Sequence, residues 1–223
     1  MDVNKSLQWI GHASFIYRKN GINIFIDPFN ISPSITAKAD LVLITHAHFD
    51  HCNPNEIRKI SKQGTRVIAA PNCFDNESFK DFEVIRAGES IDFKGINISA
   101  VPAYNVKKNR LSFHPKEKGW VGYVLEAGDG KVYHAGDTDF TDEMSMLKNL
   151  DIALMPMGGT YVMDVDEVIE AAKAMSPKTV VPMHYKALLG LEKSIAAEEK
   201  LKGAVSEAVI MKEIQEPVYG FNK

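Results

Sequence analysis

With 223 residues, 45% hydrophobic and 25% charged, the chain has the make-up of a soluble globular protein with material for one sizeable core, and it is short for two domains. No run nears the ~18 apolar residues of a membrane span, and the N-terminus Met1-Asp2-Val3-Asn4-Lys5 lacks the basic flank and apolar stretch of a secretory leader. Cys52 and Cys73 are the only cysteines, which suits a reducing cytosol, and a net charge of −3 gives no global reason to hold nucleic acid. These features predict one domain over residues 1–223, cytoplasmic, without a membrane span or nucleic-acid partner; they leave homo-oligomer formation open.

Residues 7–17 and 22–26 alternate or run apolar on either side of Asn20-Gly21, a dipeptide that predicts a hairpin ending at Asp27-Pro28. The apolar run 41–44 reads as a buried strand. Pro54 stands where a helix begins, with residues 56–61 behind it. A short strand is expected at 67–70, a short helix from Asn72, short strands at 84–85 and 91–93, and a longer one at 96–102. A second hairpin joins 121–126 to 132–135 through Gly128-Asp129-Gly130. A helix near 142–147, a strand at 152–155, a helix at 164–175, a strand at 179–181, a helix at 192–201 and a closing strand near 208–211 complete the set. The two halves repeat one plan of hairpin, acidic residue, helix and strand, which predicts two sheets packed face to face with helices outside.

The chemistry concentrates in Thr45-His46-Ala47-His48-Phe49-Asp50-His51, directly after the apolar run. Three imidazoles and a carboxylate at a strand end form a platform for zinc, manganese or iron. Crowding these groups together without a cation is costly. Two further motifs follow downstream, Ala135-Gly136-Asp137-Thr138 and Val181-Pro182-Met183-His184-Tyr185.

In this order, from about Trp9 to Tyr185, the three motifs resemble the signature of the metallo-β-lactamase superfamily of metal-dependent hydrolases. The tetrad Gly11-His12-Ala13-Ser14 is similar to one in the branch of the ascorbate-6-phosphate lactonases and the N-acylphosphatidylethanolamine phospholipases D. The resemblance implies an α/β fold, an αββα sandwich of two mixed sheets with helices on the outer faces. It implies two divalent ions, Zn2+ in the first instance with Mn2+ or Fe2+ as alternatives. His46 and His48 would belong to the first ion, Asp50, His51 and His184 to the second, and Asp137 would bridge them, with Asp50 and Asp137 as the catalytic carboxylates. The spacing is compatible: His46 and His48 alternate along an extended segment and so project to one side, and a bridging carboxylate lets two cations sit ~3.5–4 Å apart.

One position departs from the family pattern. After the strand ending at Pro102 the family supplies a further His, and here Val101-Pro102-Ala103-Tyr104-Asn105 offers only an amide. His114, in Phe113-His114-Pro115, is the expected substitute, because the proline stiffens the chain after it. His12 either faces the metal pocket or serves a structural hydrogen bond, Asp27 resembles the family's buried acid behind the histidine loop, and His134 and Cys52 read as packing residues. Lys107, Lys108, Arg110, Lys116 and Lys118, interleaved with Phe113 and Trp120, read either as a lip for an anionic group or as a solvated loop. The stretch Met155-Pro156-Met157-Gly158-Gly159-Thr160-Tyr161 is either a substrate-approach loop or a turn.

These features predict a hydrolase whose metal-bound hydroxide attacks an ester, lactone or phosphodiester of a small anionic substrate. The alternative is a non-catalytic or regulatory metal-binding protein with an incomplete first site. Flavodiiron-type redox chemistry is disfavoured, since that family carries Glu in place of His48 and a flavin domain. An RNA nuclease is disfavoured by the short chain and the lack of an inserted clamp.

Overall fold

The structure, a computed structural model, describes residues 6–74, 79–128 and 130–215. Its strands are β1 (Leu7–Gly11), β2 (Ser14–Lys19), β3 (Ile22–Ile26), β4 (Leu41–Ile44), β5 (Arg66–Ala69), β6 (Glu83–Val84), β7 (Ser90–Phe93), β8 (Ile96–Pro102), β9 (Val121–Ala127), β10 (Gly130–His134), β11 (Ile152–Pro156) and β12 (Val180–Met183). Its helices are α1 (Pro54–Ile60), α2 (Asp142–Ser145), α3 (Val165–Met175) and α4 (Lys186–Ala204), with a 3-10 turn at Lys116–Lys118. Six strands form one sheet in the order β1-β2-β3-β4-β5-β6, and six form a second in the order β12-β11-β10-β9-β8-β7. Both are mixed: an antiparallel hairpin (β2-β3, β9-β10) is extended on one side by parallel strands (β4-β5, β11-β12). The expected repeat of plan and the αββα architecture are therefore both present.

Alternation decides which face each side chain takes. In the first sheet Trp9, Phe15, Tyr17, Ile24, Ile26, Leu41, Leu43 and Ile68 face the second sheet and share one core with Ile98, Val121, Tyr123, Leu125 and Leu154. Their neighbours Ile10, Ile16, Phe25, Val42, Ile44, Val67 and Ala69 point the other way, where Ile57 and Ile60 of α1 cover them. Asn53 caps α1 by accepting from the N–H groups of Asn55 and Glu56, with Pro54 at the first helical position. Asp164 and Glu167 form a reciprocal capping box on α3, whose Val168, Ala171, Ala172 and Met175 are buried. The first hairpin turns where expected, with Asn20 (φ 50) and Gly21 (φ 77) both left-handed, as a tight primed turn requires.

Four expectations change. The span 7–17 is two strands, not one, because Gly11 (φ 150) and His12 (φ 53) fold the chain back so that Leu7 pairs with Tyr17. No helix forms at 72–74, and the remainder of that expectation, 75–78, lies outside the described residues. The last long helix starts at Lys186 and breaks at Gly190 (φ 74). The strand expected at 208–211 is reduced to a single bridge, Val180 with Ala208. That segment crosses from β12 toward β1 of the other sheet, where Glu213 bridges Trp9, so it aligns with neither edge for longer.

Candidate metal centre

The motifs meet where strands of both sheets end. The loop after β4 is fixed by Asp27, itself fully buried and held at φ 46 after β3. One carboxylate oxygen of Asp27 accepts the Thr45 N–H at 2.8 Å; the other accepts the Thr45 hydroxyl at 2.6 Å and lies 2.8 Å from His51 Nδ1. Because the Thr45 hydroxyl proton goes to Asp27, its oxygen accepts from His46 Nδ1 at 2.9 Å. Both rings are thereby oriented through Nδ1 and turn Nε2 inward, the arrangement that fixes tautomer and direction in metal-ligating histidines.

Two groups of candidate ligand atoms result, each within 4.8 Å of one another: His46, His48, His114 and Asp137; and His12, Asp50, His51 and His184. Asp27, His46 and His51 also cluster this closely, but Asp27 is already committed to Thr45 and His51, so it braces the loop. Asp137 stands between the two groups. Its Oδ2 is 3.3 Å from His114 Nε2, 3.1 Å from His184 Nε2 and 3.9 Å from His46 Nε2, and its Oδ1 is 3.5 Å from His51 Nε2. Gly136 before it has φ 65, and an added Cβ would come within 3.1 Å of the Thr45 side chain, so the turn that delivers Asp137 to the histidine loop requires glycine. His184 (φ 56) and His12 (φ 53) are left-handed without being glycine, a strained backbone of the kind that collects at sites. A hydrogen bond from His184 N to His12 O at 3.0 Å joins their loops.

His12 faces the pocket: its Nε2 is 3.0 Å from Asp50 Oδ2, and its ring centroid is 3.8 Å from that of His184. Asn105 does not. Its amide donates to the carbonyls of Arg110 and Tyr161 at 2.8 Å each, and its backbone N–H bonds the His114 carbonyl. It thus ties down the loop that carries His114. His134 is a packing residue, bonding Ala13 O through Nε2 and accepting the Gly136 N–H at Nδ1. Cys52 is buried and donates to the Cys73 carbonyl.

Burial would raise both acids, but the His184 and His51 rings outweigh it at Asp137 and hold its carboxyl well below the usual range. At Asp50, His51, His12 and His184 do the same. Burial pushes His46 down, His48 to about 4 and His12 to about 4, so these rings are neutral. At His184 burial is overcome by Asp137 and Asp50, which lift it to about 10; at His51 Asp137, Asp27 and Asp50 likewise win. The two carboxylates, Asp137 buried and Asp50 partly so, thus demand positive charge at their centre. The nitrogens His51 Nε2, His114 Nε2 and His184 Nε2 and the oxygen Asp137 Oδ1 are buried and make no hydrogen bond, although they converge on one another. An unmet buried polar atom costs about 1–3 kcal/mol, so convergence of this many fits cations held among them. Nitrogen and carboxylate donors suit zinc, manganese or iron.

A cavity of about 330 Å3 opens onto this centre, lined by His48, Phe49, Asp50, Ser112, Phe113, Tyr161, His184 and Leu188. None of the five cations of the basic stretch lines this cavity, and three of them are paired. Arg110 is buried, paired with Glu167 and Asp139; Lys107 lies 3.5 Å from Glu167; Lys116 lies 3.2 Å from Glu143 and over the Tyr104 ring. Their charges answer carboxylates of this chain. Tyr161, at the end of the stretch read as a substrate-approach loop or a turn, is a cavity wall; sequence reasoning missed Leu188 as another, and Asp139 and Glu167 as partners of Arg110. Phe49, between His48 and Asp50 and 58% exposed, was the available signal: an apolar side chain within a ligand motif has no core to enter.

A family profile described as "Beta-lactamase superfamily domain" matches residues 6–184. A UPF0173 metal-dependent hydrolase of Thermoplasma volcanium is 34% identical over 98% of this chain and 99% of its own length. One from Pyrococcus horikoshii is 32% identical over 92% of this chain and 96% of its own. Among solved structures, a candidate metal-dependent hydrolase from Parabacteroides distasonis superposes with a TM-score of 0.82 at 33% identity, covering 94% of this chain and 93% of that one. Igni18, a metallo hydrolase of Ignicoccus hospitalis, gives 0.72 at 27% identity, covering 93% and 94%.

Proposed function

Because the chain belongs to the β-lactamase superfamily and its relatives are metal-dependent hydrolases, we propose that it hydrolyses an ester, lactone or phosphodiester of a small molecule with two divalent ions. His46, His48 and His114 would hold one ion, Asp50, His51 and His184 the other, and Asp137 would touch both. The observation that carries this reading is the position of Asp137, whose two oxygens reach the ring nitrogens of both groups. Divalent ions there supply Lewis acidity and lower the pKa of water toward neutrality. The chain's own contribution is orientation: Asp27 aims His51 and, through Thr45, His46, while His12 fixes one oxygen of Asp50. Zinc is the favoured ion, since imidazole and carboxylate suit it. Residues 1–223 act as one catalytic unit in the cytoplasm, in keeping with the core shared by both sheets and the two unbridged cysteines; no helix among the described residues is long and apolar enough to cross a membrane.

The tetrad Gly11-His12-Ala13-Ser14 favours the branch that includes lactonases, so lactones belong in any substrate panel. Negative charge on the substrate would be met at the metal centre, not by the paired cations of the 107–118 segment. The test is elemental analysis with hydrolysis of an ester, a lactone and a phosphodiester, before and after chelation. Up to two ions per chain and activity lost on chelation are expected. Asp137→Ala and His184→Ala should each abolish turnover while leaving the circular dichroism spectrum intact. Normal turnover in either variant at saturating metal overturns the proposed roles.

A further inference from the structure

The walls of the 330 Å3 cavity do not match its metal-facing floor. The floor is His48, Asp50 and His184, whereas the walls are Phe49, Phe113, Tyr161 and Leu188, with Ser112 and the Tyr161 hydroxyl as the remaining polar groups. Phe113 and Tyr161 meet edge to face, centroids 4.7 Å apart, and Phe49 packs edge-on to Phe29 at 5.9 Å. Among the described residues that line the cavity there is no Lys or Arg, and Arg110, Lys107 and Lys116 of the 107–118 segment are committed to Glu167, Asp139 and Glu143. The volume is at the small end of the ~300–1,000 Å3 typical of ligand pockets.

We propose that this cavity is a specificity pocket for an uncharged, apolar substituent, a short alkyl chain or a single aromatic ring, attached directly to the scissile ester or lactone carbonyl. The proposal rests on the hydrolytic reading above and narrows its substrate class. In the reaction the water oxygen bonds the acyl carbon as the acyl–oxygen bond breaks; the alkoxide takes one water proton and becomes the alcohol, and the acid releases the other to solvent as it forms the carboxylate. A charged acyl substituent gains nothing here, since burying an ion against Phe113, Tyr161 and Leu188 without a partner is costly. An apolar one gains at each methylene transferred from water, roughly fourfold in affinity per methylene, until the cavity is full. Phe49 sets the outer limit, because it stands on the rim within the metal-binding loop itself, between His48 and Asp50.

The experiment uses zinc-loaded protein and has a binding arm and a turnover arm. In the first, calorimetry measures dissociation constants for acetate, butyrate, phenylacetate and succinate, simple mimics of the acyl product. Butyrate and phenylacetate are expected to bind at least tenfold more tightly than acetate, with succinate weaker than butyrate. Leu188→Ser and Tyr161→Ala should each flatten the series, whereas an unfolded variant would lose all ligands and its melting transition. In the second arm kcat/KM is compared for the methyl esters of the same acids. A rise from acetyl to butyryl and phenylacetyl is expected. The corresponding γ- and δ-lactones and an aryl phosphodiester are assayed beside the esters; tight phenylacetate binding without turnover of any of them would leave the pocket standing and overturn the hydrolytic reading. Turnover with no gain from acetyl to butyryl, or a preference for the succinyl monoester, would overturn the pocket and leave hydrolysis standing. Equal binding of all four acids would also overturn it.

Discussion

Arg110 is buried between two carboxylates away from the candidate metal centre, and its replacement by Met has a calculable effect. Its side chain is 4% exposed; Nη2 contacts both Glu167 oxygens at 2.5 and 2.7 Å, Nε lies 2.9 Å from Asp139 Oδ1, and Nη1 donates to the Val162 carbonyl at 2.6 Å. Removing one partner of a buried ion pair costs about 3–5 kcal/mol, because the remaining charge stays buried. Glu167 has a second cation, Lys107 Nζ at 3.5 Å, which relieves part of this. Asp139, fully buried, keeps the N–H groups of Val106 and Lys107 but loses its only close cation among the described residues. The loss should therefore fall near the lower bound, about 3 kcal/mol. In a domain of this size that is roughly 6–12 °C in Tm.

The same contacts hold the loop that delivers His114, so Arg110→Met should also weaken metal binding at the site proposed for His46, His48 and His114. The assay is urea unfolding of metal-stripped protein, paired with Co2+ titration followed by visible absorption. Arg110→Lys, which keeps charge but not the bidentate fork, should lie between wild type and Met. Arg110→Met combined with Glu167→Gln should recover part of the loss, since one stranded charge is removed with its partner. A loss below about 1 kcal/mol in Arg110→Met, or unchanged Co2+ affinity in a variant that is clearly destabilised, would refute the reasoning.

Three further outcomes can be checked. His114→Ala should lose one of two ions, while Asn105→Ala should keep both and lose about 1–3 kcal/mol, because the Arg110 and Tyr161 carbonyls lose their donor; metal retention in His114→Ala with loss in Asn105→Ala would reverse the assignment. Asp27→Asn should fold but bind metal roughly 10–100-fold more weakly, since an amide cannot accept from Thr45 and His51 together on both oxygens; wild-type affinity by chelator competition would count against the brace. At Glu167 burial raises the carboxyl, but Arg110 outweighs it and holds it below the ordinary 4.5. A lowered folded value means stability present above 4.5 and lost as pH falls below it, so wild type should lose more stability than Glu167→Gln on acidification, and parallel acid melts would disprove the linkage.

What the sequence made legible was local. The ligand motif 45–51, the Gly-Asp-Thr turn and His184 each carry their chemistry within a few residues, and the hairpins announce themselves through Asn20-Gly21 and the alternating strands. What it concealed depends on distant pairing. Arg110 looks like a solvent-facing cation among four lysines until Glu167, 57 positions away, is brought against it. The 208–211 segment has strand composition, but its fate depends on a bridge to Trp9 at the other end of the chain. His12 was ambiguous because its partner, Asp50, lies 38 positions on.

The repeat explains why the centre forms at the junction of the two halves. After the parallel strand β4 the first half delivers the histidine loop, and after the matching strand β11 the second delivers Met157-Gly158-Gly159, which carries no ligating side chain. After the hairpin strand β3 comes Asp27, and after its counterpart β10 comes Asp137. These two equivalent acids do opposite work. Asp27 turns into its own half and spends both oxygens on Thr45 and His51. Asp137 crosses to the other half, guided by the turn at Gly136 and by the Val121 N–H that bonds the Thr45 carbonyl at 3.1 Å. One half therefore supplies the histidine loop and braces it, while the other supplies Asp137, His114 and His184. Neither half alone has enough donors for two ions, so metal binding should be lost together with the packing of the two sheets.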